Sequence, residues 1–176
     1  MKLIRNGVFE TNSSSAHSLA YGTGKIIRGN GWRMPKDEAD FSNPMYHLSE
    51  VPDQYKGYTF YEWIGEYGWN GKTLYSPQQK FSYLITGLGD TTRELYESEE
   101  YDRIKEMLEE IGCCIIPSDE DESGYIDHQS YDVVEASLFK TKEDLITYLF
   151  NDDICIHIEN DNDDYQKWYT GERDDF

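Results

Sequence analysis

Cysteine is scarce in this sequence: Cys113, Cys114 and Cys155 form an odd set with no CxxC spacing. That usage suits a reducing compartment and argues against a disulfide scaffold or a thiolate zinc site. Long apolar runs are missing too. No stretch approaches the roughly 18 residues of a membrane-spanning helix, and Met1 to Asn6 lacks the apolar core of a secretory signal. A membrane partner is therefore not expected, and the expected location is cytoplasmic. Hydrophobic residues make up 38% of the chain, below the usual value of about 45–50%. A GxSxG nucleophile elbow and a P-loop are both absent, and Gly22-Thr23-Gly24 is too short to imply a nucleotide fold. No repeat of 20–50 residues is present.

Basic residues are few as well. Sixteen Lys and Arg face 35 Asp and Glu across 176 residues, a net charge of −19. The imbalance is uneven. Residues 1–36 hold six basic groups and one acidic, a net +5, whereas residues 37–176 hold ten basic and 34 acidic, a net −24. Nucleic acid is attracted by Lys and Arg that displace counterions from phosphates. A body of this sign repels bulk polyanion, so no binding to free DNA is expected. The partners that remain are a strongly basic protein surface or a nucleic acid already held by a basic protein. Acidity that merely keeps the chain soluble competes with both.

Aromatics are plentiful: 15 Tyr, 7 Phe and 4 Trp. Disordered acidic chains lack them, and a length of 176 can enclose a core. The expected fold class is α+β, a single domain over residues 1–176 with short antiparallel strands and about three helices. Glu159 to Phe176 reads as an acidic and mobile tail.

Residues 2–10 and 17–21 read as short strands, as do Lys25 to Ile27, while Thr11 to Ser15 is polar enough to read as a loop. Residues 29–75, rich in Gly, Pro, Tyr and Trp, read as irregular segments and short strands. Ser76 followed by Pro77 opens a helix with Phe81, Leu84, Ile85 and Leu88 inward, stopped by Gly87 and Gly89. A second helix opens near Ser98, with Tyr101, Ile104, Leu108 and Ile111 inward, and Gly112 ends it. Cys113 to Ile116 reads as a buried strand closed by Pro117, and Asp119 to Glu122 as a solvated loop. Thr141 caps a third helix to Phe150, with Asp144 three residues on in place of the Glu or Gln of a full capping box. Ile154 to Ile158 reads as the last strand.

The least ordinary segment is Arg5 to Ser18, where Glu10, Asn12, Ser13, Ser14, Ser15 and His17 collect in the one basic region. Hydroxyls and backbone N–H groups of such a loop bind phosphate, with Arg5 supplying charge. His17, with an ordinary pKa of about 6.5, exchanges protons near neutrality, and Glu10 can orient it or act as a base. A Ser/Asn-rich turn bonded to its own backbone has the same composition. The second cluster is Asp127-His128. Metal-free RNA cleavage needs a base for the 2′-hydroxyl and an acid for the leaving oxygen, two roles that His17 and His128 can fill if the fold joins them. Alternatively, either can join Glu10 and Asp127 around a divalent cation, the one cofactor this set suggests. His47 and His157 read as structural. The Tyr and Trp residues from Trp32 to Tyr75 read as core or protein interface more than as base-stacking platforms, because Glu62 and Glu66 interleave them.

Phe9-Glu10-Thr11-Asn12-Ser13-Ser14-Ser15-Ala16-His17-Ser18 resembles a motif of small proteins from phages and other mobile elements. Ile126 to Ser130 resembles a second block of such proteins, and Lys142 to Phe150 with the following Ile-rich strand and Asn160-Asp161-Asn162 a third. Some proteins of this kind resemble type II-A anti-CRISPR proteins, whose modes of inhibition include truncation of the guide RNA. The resemblance implies an inhibitor in the cytoplasm of a bacterial host, with a type II CRISPR effector nuclease and its guide RNA as partners. Glu10, Ser13, Ser14, Ser15 and His17 would then lie at the RNA cut, and Arg5, Asn12, Lys25 and Arg28 of the basic segment would face RNA. Asp127 and His128 come from the residues alone. The rival expectation is an acidic mimic that blocks the effector's nucleic-acid channel without chemistry.

Overall fold

The computed structural model describes residues 15–21, 32–34, 47–67, 72–118, 121–126, 136 and 139–160. The strands expected at 2–10 and 25–27, loop residues 11–14 and 119–120, and residues 161–176 of the expected tail lie outside them; the first two tail residues, Glu159 and Asn160, belong instead to the last strand.

Capping chemistry decides where the helices begin. In α1 (Pro77–Thr86), Ser76 Oγ accepts from Gln79 N–H at 3.2 Å while Gln79 Oε1 accepts from Ser76 N–H at 3.1 Å. Two orphan donors are satisfied reciprocally, and Pro77 fills the first position, where no N–H is needed. In α3 (Glu99–Glu110), Ser98 Oγ accepts from Tyr101 N–H at 3.3 Å. In α4 (Lys142–Phe150), Thr141 Oγ1 accepts from Asp144 N–H at 3.1 Å and Asp144 Oδ2 accepts from Thr141 N–H at 2.9 Å. The box is thus complete with Asp144, correcting the expectation that the shorter acid leaves it imperfect. The same oxygen also accepts from Lys140 N–H at 3.0 Å.

Among the described residues there is a fourth helix, α2 (Thr92–Tyr96), where three were expected. Its five residues are too few to show a periodicity. It is why Gly89 is glycine: a Cβ there would lie 2.6 Å from Leu95 N. Gly89 therefore serves a close approach, not a helix stop, whereas Gly112 (φ +79°) does end α3 in the left-handed conformation.

The strands form one four-stranded antiparallel sheet in the order β2-β1-β8-β5, from β1 (Ser15–Tyr21), β2 (Trp32–Met34), β5 (Lys72–Leu74) and β8 (Ile154–Asn160). Two further pairs are parallel: β3 (Thr59–Tyr61) with β6 (Cys114–Ile116), and β4 (Glu66–Tyr67) with β7 (Tyr125–Ile126). The expectation of antiparallel strands throughout fails here because of connectivity. Between β3 and β6 the chain passes through α1, α2 and α3, a crossover that brings it back in the same direction. Tyr125 N–H bonds the Gly65 carbonyl at 3.0 Å. A Cβ on neighbouring Gly124 would sit 2.2 Å from that same oxygen.

The fold is mixed α+β. Its core lies between α1, α4 and the inward side of the sheet. Phe60, Phe81, Tyr83, Leu84, Ile85, Leu145, Leu149, Ile154, Ile156 and Ile158 are all fully buried. The Phe60 and Phe81 rings meet at 4.6 Å between centroids, and Phe139 meets Tyr148 at 4.8 Å. The helix stripes are as expected, with Tyr101, Ile104 and Leu108 buried in α3. The segment after α3 is not: Cys113 is buried, but Cys114 and Ile116 of β6 are exposed. Burial alternates along β6, so the face that Ile115 shares with Phe60 meets the core while the face that Ile116 shares with Tyr61 lies open.

Candidate functional site

Of the residues singled out for chemistry, Ser15 and His17 fall in the described backbone. Arg5, Glu10, Asn12, Ser13, Ser14, Lys25, Arg28, Asp127 and His128 lie outside it. Ser15 opens β1, so it belongs to a ladder and not to the expected loop. It sits opposite Asn160, His17 sits opposite Ile158, and Ser18 sits opposite His157. β1 is an inner strand, paired with β2 on one side and β8 on the other. Its hydroxyl-bearing residues enter a ladder because the Ile-rich β8 supplies a full run of partners. His17 thus belongs to the four-stranded sheet, whereas Ile126, the residue before Asp127, ends the separate β4–β7 pair. Among the described residues, no group of three or more His, Cys, Asp or Glu side chains is arranged to hold a metal ion.

The most distinctive charge arrangement lies on α3. Its exposed positions are Glu99, Glu100, Asp102, Glu106, Glu109 and Glu110, every one a carboxylate. Its two cations are turned to internal use. The Arg103 guanidinium donates to the carbonyls of Phe139 at 2.7 Å and Ala136 at 2.9 Å. Lys105 Nζ lies 5.3 Å from the Tyr101 ring centroid. The described cation closest to pairing with this face is Lys142, 3.5 Å from Glu110 across exposed surface. Glu94 of α2 and its C-cap Glu97 are exposed too, and Arg93 meets Glu97 at 3.2 Å.

A second cluster lies beside it. Glu62, only 6% exposed, receives three donors: the Tyr101 hydroxyl at Oε1, and at Oε2 the Tyr96 hydroxyl at 2.5 Å and Ser118 N–H at 3.2 Å. Glu122 Oε2 accepts from Ile64 N–H at 3.0 Å. Burial, the bond to Glu62 and the charges of Glu62 and Glu122 push the Tyr96 phenol up to about 12. Tyr96 is nevertheless 46% exposed, because its hydroxyl turns inward while part of its ring faces out. Around this cluster, Tyr61, Trp63 and Ile116 are also exposed, whereas Phe60 and Tyr67 are buried. The aromatic segment therefore divides, partly core and partly surface. The residue types do not carry that division, because Phe60 and Glu62 are the buried pair and Tyr61 and Trp63 the exposed one. The meeting of Glu62 with Tyr96 and Tyr101 has no sequence signal, since the three come from an extended segment and two helices.

Elsewhere, Lys80 is fully buried, its Nζ donating to the Asn151 and Ile154 carbonyls at 3.1 Å each. Burial lowers it to about 7, against the opposing charges of Asp152 and Cys155. Burial raises the Cys113 and Cys155 thiols to about 11, the setting of inert thiols and not of nucleophiles.

Among known proteins, no family model, curated protein or solved structure matches this chain. No helix among the described residues is long and apolar enough to cross a membrane.

Proposed function

We propose that the chain inhibits a type II-A CRISPR effector nuclease as an acidic mimic that occupies the effector's basic nucleic-acid channel without chemistry. The observation that carries this reading is α3, whose exposed positions are all carboxylates and whose two cations serve internal contacts. Twelve helical residues span about 18 Å, so six carboxylates give one charge per roughly 3 Å. One strand of duplex nucleic acid carries a phosphate per about 3.4 Å of axis. The linear charge density is comparable, and α3 is fixed to the core by Tyr101, Ile104 and Leu108. CRISPR effectors hold their heteroduplex in a positively charged channel, which is the complement of such a face. The motif from Phe9 to Ser18 supplies the choice of effector through its resemblance. Guide-RNA cleavage, the other mode it implies, would place Glu10, Ser13, Ser14, Ser15 and His17 at the cut, with Asp127 and His128 added from the residues alone; of these, Ser15 and His17 fall among the described residues, in the β1 ladder, and they favour it with no observation of their own.

The test is a denaturing gel of labelled guide RNA with a type II-A effector, with and without this protein and EDTA, run beside a target-cleavage reaction. The mimic predicts an intact guide and lost target cleavage. It also predicts that Glu99→Gln/Glu106→Gln/Glu109→Gln weakens inhibition at least tenfold and flattens its salt dependence. A shortened guide would replace the mimic with a recruited nuclease. An intact guide with full target cleavage would remove the CRISPR reading.

A further inference from the structure

The β3–β6 pair has two backbone edges, and the fold treats them differently. Along β3, the Gln78 side-chain amide seals Tyr61: it accepts from Tyr61 N–H at 2.9 Å and donates to its carbonyl at 2.8 Å. The same amide nitrogen donates to Ser82 Oγ at 3.0 Å, which holds the seal in place. Along β6 no such seal exists among the described residues. Cys114 N–H donates to the Tyr58 carbonyl at 3.0 Å, and the Ile116 carbonyl accepts from Glu62 N–H at 2.9 Å. Both residues thus turn backbone groups toward β3, and Ile115 between them turns its N–H and carbonyl away. Among the described residues β6 pairs with β3 alone, and no described group bonds the outward N–H or carbonyl of Ile115.

The side chains beside this edge are uncovered as well. Thr59 pairs with Cys114 and Tyr61 with Ile116, so these four share the face opposite Phe60 and Ile115. Tyr61 is 57% exposed, Ile116 44%, and Cys114 is exposed too. None of the four is a charged residue type, but the chain on either side is acidic: Glu109 and Glu110 precede β6, and Asp119, Glu120 and Asp121 follow it. An open edge beside an apolar face suits an added strand, which main-chain bonds hold and alternate side chains select. The flanking acids set the sign of that strand. A second copy would bring −19 against −19, and nucleic acid would bring phosphates. Lys or Arg on a strand would be attracted at both ends.

We propose that β6 is a docking edge for an extended basic segment of a partner protein. The segment adds a third strand beside Ile115 and lays alternate apolar side chains next to Cys114 and Ile116. Pro117 has no N–H to offer, so the pairing stops there. The proposal rests on the reading above that the partner is basic, and it adds the backbone that receives the partner and the conformation it takes.

The probe is the peptide acetyl-Lys-Val-Lys-Val-Lys-Val-Lys-amide, titrated calorimetrically into the full chain beside the same peptide methylated on every backbone nitrogen. The two are equal in charge and side chains, so their affinity ratio isolates main-chain pairing. The unmethylated peptide is expected to bind about tenfold tighter. Cys114→Thr/Ile116→Thr should weaken it, with an unchanged melting temperature as the check on folding. Amide exchange followed by NMR locates the strand. In the free protein Ile115 N–H is expected to exchange freely while Cys114 N–H is protected, and saturating peptide should slow Ile115 by about tenfold or more. Equal affinities, an Ile115 amide protected in the free protein, or one that peptide does not slow overturns the proposal. Protection of Ile115 that grows with protein concentration gives the edge to a second copy and overturns it too. No effector is present in these measurements. Ile115 slowed by peptide beside full target cleavage on the gel would remove the CRISPR reading alone, and equal affinities beside lost target cleavage would remove this proposal alone.

Discussion

Lys80 makes the stability of this protein depend on pH in an unusual direction. Its side chain is wholly buried between α1, the end of α4 and the start of β8. Burial brings it from the usual 10.5 to about 7, while the Asp152 and Cys155 charges pull the other way. Between those two values the unfolded chain holds the proton and the folded chain releases it, so stability rises with pH. It is lowest below pH 7, where the folded protein must bury an ammonium, and the contribution is complete only above 10.5. At 1.36 kcal/mol per pKa unit the whole window amounts to about 5 kcal/mol. From pH 7 to 8.5, where the raised thiols stay protonated, the gain is about 2 kcal/mol. The neutral amine still has two hydrogens for the two carbonyls, so deprotonation sacrifices neither bond. Urea denaturation followed by far-UV circular dichroism across that range should show the gain in the wild-type protein. Lys80→Met should flatten it, because everything else that titrates is common to both. A wild-type stability that is level or falls between pH 7 and 8.5, or an equal slope in Lys80→Met, would refute the reasoning.

Other substitutions separate backbone contact, capping and packing. Gly124→Ala puts a Cβ 2.2 Å from the Gly65 carbonyl oxygen, and neither backbone can yield cheaply. The melting temperature is expected to collapse, whereas Gly87→Ala, at 3.4 Å from its nearest neighbour and negative φ, should leave it nearly unchanged. Thr141→Ala removes the acceptor for Asp144 N–H and should cost about 1 kcal/mol in urea denaturation. Asp144→Ala should cost at least as much, since two N–H groups lose their acceptor. Phe81→Ala empties the contact with Phe60 at the centre of the core and should cost about 3–5 kcal/mol.

The longer helices were legible because their signals are local. Ser76-Pro77, Ser98 and Thr141 each place a side-chain acceptor next to the donors it satisfies, and the apolar positions of α1, α3 and α4 repeat at helical spacing. β8 was legible as an Ile-rich run, and β1 over 17–21 as a strand. What escaped the sequence depends on distant residues. The parallel direction of β3–β6 and β4–β7 follows from the path between partners, and no residue within a strand records that path. The burial of β6 was misjudged for a related reason. Cys113 to Ile116 is apolar throughout, but whether such a run is covered depends on a layer packing over both faces, and in the β3–β6 pair the face of Ile116 and Tyr61 is exposed. The hydroxyls of Ser13, Ser14 and Ser15 predict a loop, yet Ser15 enters β1 opposite Asn160, 145 positions away in the chain.

The candidate site shows the same division more sharply. Composition gave a charge of −19, but a net charge has no direction. It becomes a one-sided acidic face only when burial sorts α3, putting Tyr101, Ile104 and Leu108 inside and leaving carboxylates at every exposed position. The heptad-like spacing of apolar residues already contains that sorting, so the acidic face of α3 was readable in principle from the inner stripe. The aromatic surface was not. Tyr61 and Trp63 gain their meaning from Glu62 between them, and Glu62 gains its own from Tyr96 and Tyr101, residues 34 and 39 positions away. An alternating Tyr-Glu-Trp segment suggests a half-buried strand with its acid facing solvent. Here the alternation is inverted: the carboxylate turns inward because two phenols and the Ser118 N–H are there to receive it, and the large rings are left outside. The inversion is stable only because three donors offset the desolvation of one carboxylate. Its consequence is that the Tyr61 and Trp63 rings stay exposed while the Glu62 charge is withdrawn from the surface.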